Sequence, residues 1–227
     1  MWITLKDNEN NDVITLAQQY ANRNGDNTLE DILIKHNIEL PLKLGEVDVN
    51  EVDKKGNAAL HLAAKERGYG TLEKMQELIN RGANVNLQNK QGKTALMLAQ
   101  KASHDFDKTK LLLQNKANVN VQDNYGKTAL IYLIDDKYFH YGDTNRNKFN
   151  LFMSLENIDV NLQTKVGMTP LMYVCNVRIH EVSYYVKALI DKGAKVDLTT
   201  KKSKTALSFA NQWDIETREL LKAHKKE

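Results

Sequence analysis

Residues 53–64 read DKKGNAALHLAA, and the same twelve-slot pattern returns four more times. It reappears as NKQGKTALMLAQ at 89–100, DNYGKTALIYLI at 123–134, TKVGMTPLMYVC at 164–175 and TKKSKTALSFAN at 200–211. The fourth slot holds Gly56, Gly92, Gly126, Gly167 and Ser203, spaced 36, 34, 41 and 36 residues apart. A second block keeps step with the first: RGANVNLQ at 81–88, NKANVNVQ at 115–122, ENIDVNLQ at 156–163 and KGAKVDLT at 192–199. Self-similarity at such a period marks stacked units, each too small to bury its own apolar face.

The physics of one unit follows from its residues. Asp53 and Gly56 supply turn chemistry, since the carboxylate can bond nearby backbone and glycine accepts positive φ. Ala58 to Ala64 predict a short helix behind that turn. Leu60, Leu96, Leu130, Leu171 and Leu207 share one slot and predict an apolar ladder running through the stack. A second helix contributes Leu78, Leu112, Met153 and Leu189 to an outer layer. Helices below about 12 residues are marginal alone, so stacking must stabilise them. Gly82 and Gly193 stand where the second helix stops in a left-handed conformation. Asn157 fills that slot in the third unit, and Lys116 fills it in the second at an expected cost of ~1 kcal/mol.

Together the two blocks resemble the ankyrin repeat, whose form is D-x-x-G-x-T-P-L-H-x-A-A followed by G-A-D-V-N. The resemblance covers about residues 53–222. It implies an all-α solenoid of stacked helix pairs joined by hairpin-like fingers. The units so delimited are 53–88, 89–122, 123–163 and 164–199. Residues 200–227 form a truncated capping unit, and 1–52 a degenerate N-terminal one with helical segments at 12–22 and 28–36. Val47, Asp48, Val49 and Asn50 echo the second block. One departure is plain: His61 alone fills the histidine slot, and Ala58 replaces the threonine there. Thr94, Thr128, Thr169 and Thr205 keep the threonine without the histidine.

Composition narrows the function classes. Among 227 residues, 32 Lys and Arg against 29 Asp and Glu leave a formal charge of +3, too small by itself to imply nucleic acid. No apolar run approaches the ~18 residues of a membrane span. The single cysteine, Cys175, excludes an internal disulfide framework and points to a reducing compartment. A cytoplasmic location is expected, or a host cytosol for a translocated bacterial effector. Cys175 itself reads as a small buried residue rather than a nucleophile. The six histidines fall in different units without zinc-ligand spacing, and no glycine-rich phosphate loop occurs. No enzyme, cofactor or metal is expected. The 24 asparagines are expected to carry no chemistry.

The resemblance implies that the turn tips project as fingers beside a groove lined by the first helices. The finger residues are then Lys54, Lys55, Asn57, Lys90, Gln91, Lys93, Asn124, Tyr125, Lys127, Lys165, Val166, Met168, Lys201, Lys202 and Lys204. Nine of these fifteen are lysine and none is acidic, so the fingers predict a basic edge. Tyr125, Val166 and Met168 add apolar contact at its centre. The third unit also carries about five extra residues between its helices, including Tyr138, Phe139, His140 and Tyr141. Two readings stand: an aromatic anchor for a partner, or rings folded back onto the neighbouring helices. Trp213 is expected either to face the groove or to cap the open end of the core. The expected function is non-enzymatic binding of another protein with an acidic surface, as adaptor, inhibitor or effector, by a chain that is monomeric when free. The alternative is nucleic acid or a phosphorylated small ligand along the lysine edge. Lysines without arginines give little bidentate recognition, which counts against it.

Overall fold

The computed structural model describes residues 48–100, 106–136, 139, 143–177 and 181–225. Ten helices occur among them, in five inner–outer pairs. The pairs are α1 (Ala59–Lys65) with α2 (Thr71–Asn80), α3 (Ala95–Gln100) with α4 (Phe106–Gln114), and α5 (Ala129–Ile134) with α6 (Asp143–Ser154). They continue with α7 (Pro170–Asn176) and α8 (Val182–Asp191), then α9 (Ala206–Phe209) and α10 (Ile215–Ala223). Inner helices pack in series from α1 to α9. No strand occurs among the described residues. The predicted terminal segments at 12–22 and 28–36 lie outside the described residues.

The leucine ladder forms the core. Leu60, Leu96, Leu130 and Leu171 are buried, and Leu207 is half-buried in the last unit. The first helix starts one residue later than expected, because Ala58 is its extended N-cap. Threonine in that slot caps the later helices: Thr128 Oγ1 accepts from the Ile131 N–H and Thr169 Oγ1 from the Met172 N–H, both at 3.3 Å. In the first unit His61 supplies the cap instead. Its Nδ1 accepts from the Ala58 N–H at 3.1 Å, and its Nε2 donates to the carbonyls of Leu87 (2.9 Å) and Lys93 (3.1 Å). One neutral imidazole thus joins two units.

Helix ends follow the expectation at three of four positions. Gly82, Lys116 and Gly193 have φ of 88°, 64° and 92°. In each case the next N–H reaches back to Leu78, Leu112 or Leu189. Asn157 is the exception and does not take positive φ. Its helix, α6, ends at Ser154, one residue early relative to the other outer helices, so Asn157 is past the point where a left-handed residue is needed. The same shift corrects the outer layer. Phe152 takes the fully buried slot expected for Met153, which is only half-buried.

Among the described residues, two lysines are buried completely. Lys108 on α4 donates through Nζ to the carbonyls of Ala63 (3.3 Å) and Glu66 (2.6 Å). Lys148 on α6 donates to the Ala99 carbonyl at 3.3 Å. Each occupies the position four residues before the buried Leu112 or Phe152, and each places a cation at the C-terminal end of the preceding unit's inner helix. That is where unpaired carbonyls and the helix dipole favour positive charge.

The asparagines carry chemistry after all. The Asn50 amide donates to the Gly82 carbonyl (3.2 Å), and its oxygen accepts from the Asn84 N–H (2.7 Å). Asn86, Asn120 and Asn161 repeat this two-way bridge to the next unit. Beside them Gln88, Gln122 and Gln163 each donate within their own finger and across to the next unit. An amide carries both a donor and an acceptor, which the bridge requires. At the end of the fourth unit these slots hold Asp197 and Thr199.

Candidate functional site

Each finger is a tight turn closed by its first residue. Asp53 Oδ1 accepts from the N–H groups of Lys55 and Asn57, both at 2.8 Å. The Asn57 bonds, backbone first, hold the Asp53 carboxyl below its ordinary range. Asp123 does the same for Tyr125 and Lys127, and Asn89 for Gln91 and Lys93. Adjacent fingers are then bonded to one another. The N–H groups of Lys90, Asn124, Lys165 and Lys201 donate to the carbonyls of Lys55, Gln91, Tyr125 and Val166 at 2.9–3.1 Å.

This contact explains the glycine slot. A side chain at Gly56, whose φ is 77°, would bring Cβ to 2.7 Å from the Lys90 backbone nitrogen. At Gly167 the Cβ would meet Thr200 Cα at 2.8 Å. Ser203 keeps the left-handed backbone, with φ of 55°, and its side chain is exposed.

The fingers present two rows of residues that differ in character. At the tips, Lys54, Lys55, Lys90, Lys165, Lys201 and Lys202 are exposed. Tyr125 (66% exposed) and Val166 (58%) sit among them on neighbouring fingers. At the finger bases, Lys93, Lys127 and Met168 are half-buried. Met168 packs against the core. Lys93 Nζ lies 5.4 Å from the Tyr132 ring centroid, and Lys127 Nζ lies 5.8 Å from Tyr132 and 5.5 Å from Tyr173. Lys204 is exposed and stands 5.8 Å from the Phe209 ring. Lys127 also forms an ion pair with Asp135 at 2.5 Å. Burial is the largest single influence and opposes its charge. The Asp135 bond and the charges of Tyr173, Asp135 and Asp123 together outweigh it and hold the ammonium pKa above its ordinary value. Tyr132 donates its hydroxyl to Asp123 Oδ2 at 2.7 Å, and burial followed by that bond pushes its pKa up.

The inner helices contribute a row that the sequence reading did not single out. Leu62, Leu98, Tyr132, Tyr173 and Phe209 share one slot, one residue after the histidine slot. The first two units are aliphatic there and the last three aromatic. The signal was present in the alignment, since this slot alone changes from leucine to rings partway along. Its meaning emerges only when the finger lysines are seen lying over those rings.

Two expected contact residues are relocated. Phe139 is 1% exposed, with its ring 4.9 Å from Tyr185 and 6.2 Å from Phe149. An aromatic ring gains more from that cluster than from solvent, so Phe139 belongs to the core rather than to an anchor. Tyr138, His140 and Tyr141 lie outside the described residues. Trp213 neither caps the core nor sits on an inner helix. It follows α9 in the loop before α10 and is 80% exposed, beside a cleft that Phe209, Val177 and Arg218 also line. Leu221 and Thr217 of α10 are the buried residues at that end.

Burial pushes the Cys175 thiol up to about 12, which leaves it protonated. Among the described residues no group of three or more His, Cys, Asp or Glu could hold a metal. None of their helices is long and apolar enough to cross a membrane.

The fold has known counterparts. The crystal structure of the ankyrin repeat protein EF0377 superposes with a TM-score of 0.65 at 22% identity, covering 94% of this chain and 97% of that one. No curated protein sequence matches. The family model for ankyrin repeats (three copies) matches residues 67–142 and 140–227, most of the chain. With the helix pairs, the fingers and their glycines in place, the chain belongs to the ankyrin-repeat family.

Proposed function

We propose that this chain is a non-enzymatic protein-binding module that takes an acidic partner surface along its finger tips and the adjoining groove. Ankyrin repeats bind other proteins, and the observation that directs this reading is the tip row. Six exposed lysines line one edge of a chain whose formal charge is only +3. Units about 10 Å apart are close to the ~8 Å screening length at physiological salt, so their fields reinforce. Exposed Tyr125 and Val166 supply the apolar contact that a purely solvating edge has no use for. The finger-base lysines Lys93 and Lys127 are committed to tyrosine rings, so the tips carry the steering charge. Those same contacts cover ring faces that a nucleobase would need for stacking, which disfavours the nucleic-acid alternative. Adaptor, inhibitor and effector roles share this surface.

The test is affinity capture from lysate with the full chain and with a Lys54→Glu, Lys55→Glu, Lys90→Glu variant, followed by quantitative mass spectrometry. Proteins retained by the native chain should be lost by the variant. Association rates of a captured protein should fall several-fold at low salt and converge at high salt. A partner that binds both forms at equal rates at low salt overturns the acidic-surface reading.

A further inference from the structure

The finger tips carry an ordered pattern rather than a uniform charge. The two tip residues of successive units are Lys54 and Lys55, Lys90 and Gln91, Asn124 and Tyr125, Lys165 and Val166, and Lys201 and Lys202, all exposed. Both ends are doubly cationic. The third unit has no cation at its tip, and the third and fourth units place an aromatic and an aliphatic side chain side by side. Backbone hydrogen bonds lock this row at all four junctions between fingers, so the spacing of the tips is fixed before any partner arrives.

That spacing selects a backbone conformation in the partner. Stacked helices set neighbouring tips about 10 Å apart. A β-strand covers this distance in about three residues, but its side chains alternate, so the first and fourth point to opposite faces. A polyproline II segment rises ~3.1 Å per residue with three residues per turn, so every third side chain returns to one face about 9.3 Å further on. One turn of that helix matches one unit of this stack. We infer that the tip row recognises an extended, polyproline II-like acidic segment that presents one side chain per unit. Two apolar side chains three residues apart meet Tyr125 and Val166, and carboxylates at the same three-residue interval meet the lysines on either side. The inference rests on the acidic-partner reading above and adds the partner's conformation, register and central apolar pair.

The experiment uses two labelled synthetic peptides of identical, proline-containing composition, measured by fluorescence anisotropy against the full chain. One peptide places its two glutamate groups and the central leucine pair at every third position. The other places them at every second position. The first should bind at least about tenfold more tightly than its isomer. The advantage should disappear in a Tyr125→Ser, Val166→Ser variant, whose melting temperature should be unchanged because both side chains are exposed. Equal binding of the isomers, absence of binding by either, or a preference that survives in the variant overturns the inference. Charge reversal at Lys54, Lys55 and Lys90 separates this result from the broader reading. Isomers that bind alike but are both weakened by reversal leave the acidic-partner reading standing, whereas isomers indifferent to reversal remove that too.

Discussion

Lys108 Nζ lies 2.6 Å from the carbonyl oxygen of Glu66, and the entire lysine side chain is buried between two units. A lysine is tolerated there because the C-terminal turn of α1 offers carbonyl acceptors and the negative end of a dipole. Replacing Lys108 with Met preserves volume but leaves those acceptors without their donor. The expected cost is about 1–3 kcal/mol, read from urea denaturation midpoints. Lys148→Met should lose stability in the same range. Lys74→Met, at the equivalent but exposed slot of the first unit, should change stability by less than about 0.5 kcal/mol. Equal effects at all three positions would show that burial of the ammonium is not what matters.

Lys116 and Ser203 both hold left-handed backbone without being glycine. Substituting glycine at either should stabilise by about 0.5–1 kcal/mol. The reverse change at Gly56 should be far more costly than that conformational preference alone, because its Cβ would strike the backbone of Lys90. Gly56→Ala is therefore expected to lower the melting temperature well beyond what Lys116→Gly raises it. Calorimetry on the three single variants checks the order.

Stability should depend on pH through His61. Burial penalises the charged ring and lowers its pKa below the ordinary 6.5, against the opposing pull of the Lys93 and Leu87 carbonyls. A second ring proton would also meet the Ala58 N–H that Nδ1 accepts. Unfolded chains bind that proton more readily than folded ones below about pH 6.5, so the His61 contribution is complete above that pH and declines as pH falls. His61→Gln can accept and donate at the same places without titrating. Its stability should fall less than that of the native chain between about pH 7 and pH 5, measured by urea denaturation. Parallel slopes would mean that His61 takes up its proton over the same pH range folded and unfolded, so that folding does not lower its pKa.

The amide bridges give a fourth test. Asn86→Asp keeps the acceptor for the Asn118 N–H but loses the donor to the Lys116 carbonyl. It should cost about 1 kcal/mol in denaturant titrations.

Much of this fold could be read directly from residues 53–211, because a repeated slot exposes its own purpose. Leu60 and its counterparts are interchangeable, so their burial follows from recurrence alone. Gly56 and Lys116 were readable for the same reason. Other features depend on relations between units. The slot before the buried outer-helix residue holds Lys74, Lys108, Lys148 and Tyr185, which looks like ordinary surface variation until α1 and α3 end beside it. Asn50, Asn86, Asn120 and Asn161 recur faithfully, yet a polar loop residue gives no hint of a bridge to the next unit. Phe152 replaced Met153 because α6 ends one residue early, a backbone choice that neither side chain announces. At the site, the exposure of Tyr125 and Val166 was expected from their place at the turn tips. The withdrawal of Lys93 and Lys127 onto Tyr132 depended on which rings stood across from them.

Ser203 also bears on assembly. A stack of like units resembles a growing polymer, and an end that accepted another unit would make a head-to-tail contact that never closes, the geometry of a filament. At the first four fingers glycine leaves room for the backbone of the next finger. At Ser203 that room is filled by a side chain, and Asp197 and Thr199 offer no amide to bridge onward. A second copy approaching this end in register would meet a Cβ where its backbone must sit. The Ser203 turn is thus closed to the backbone contact that joins the other fingers to one another.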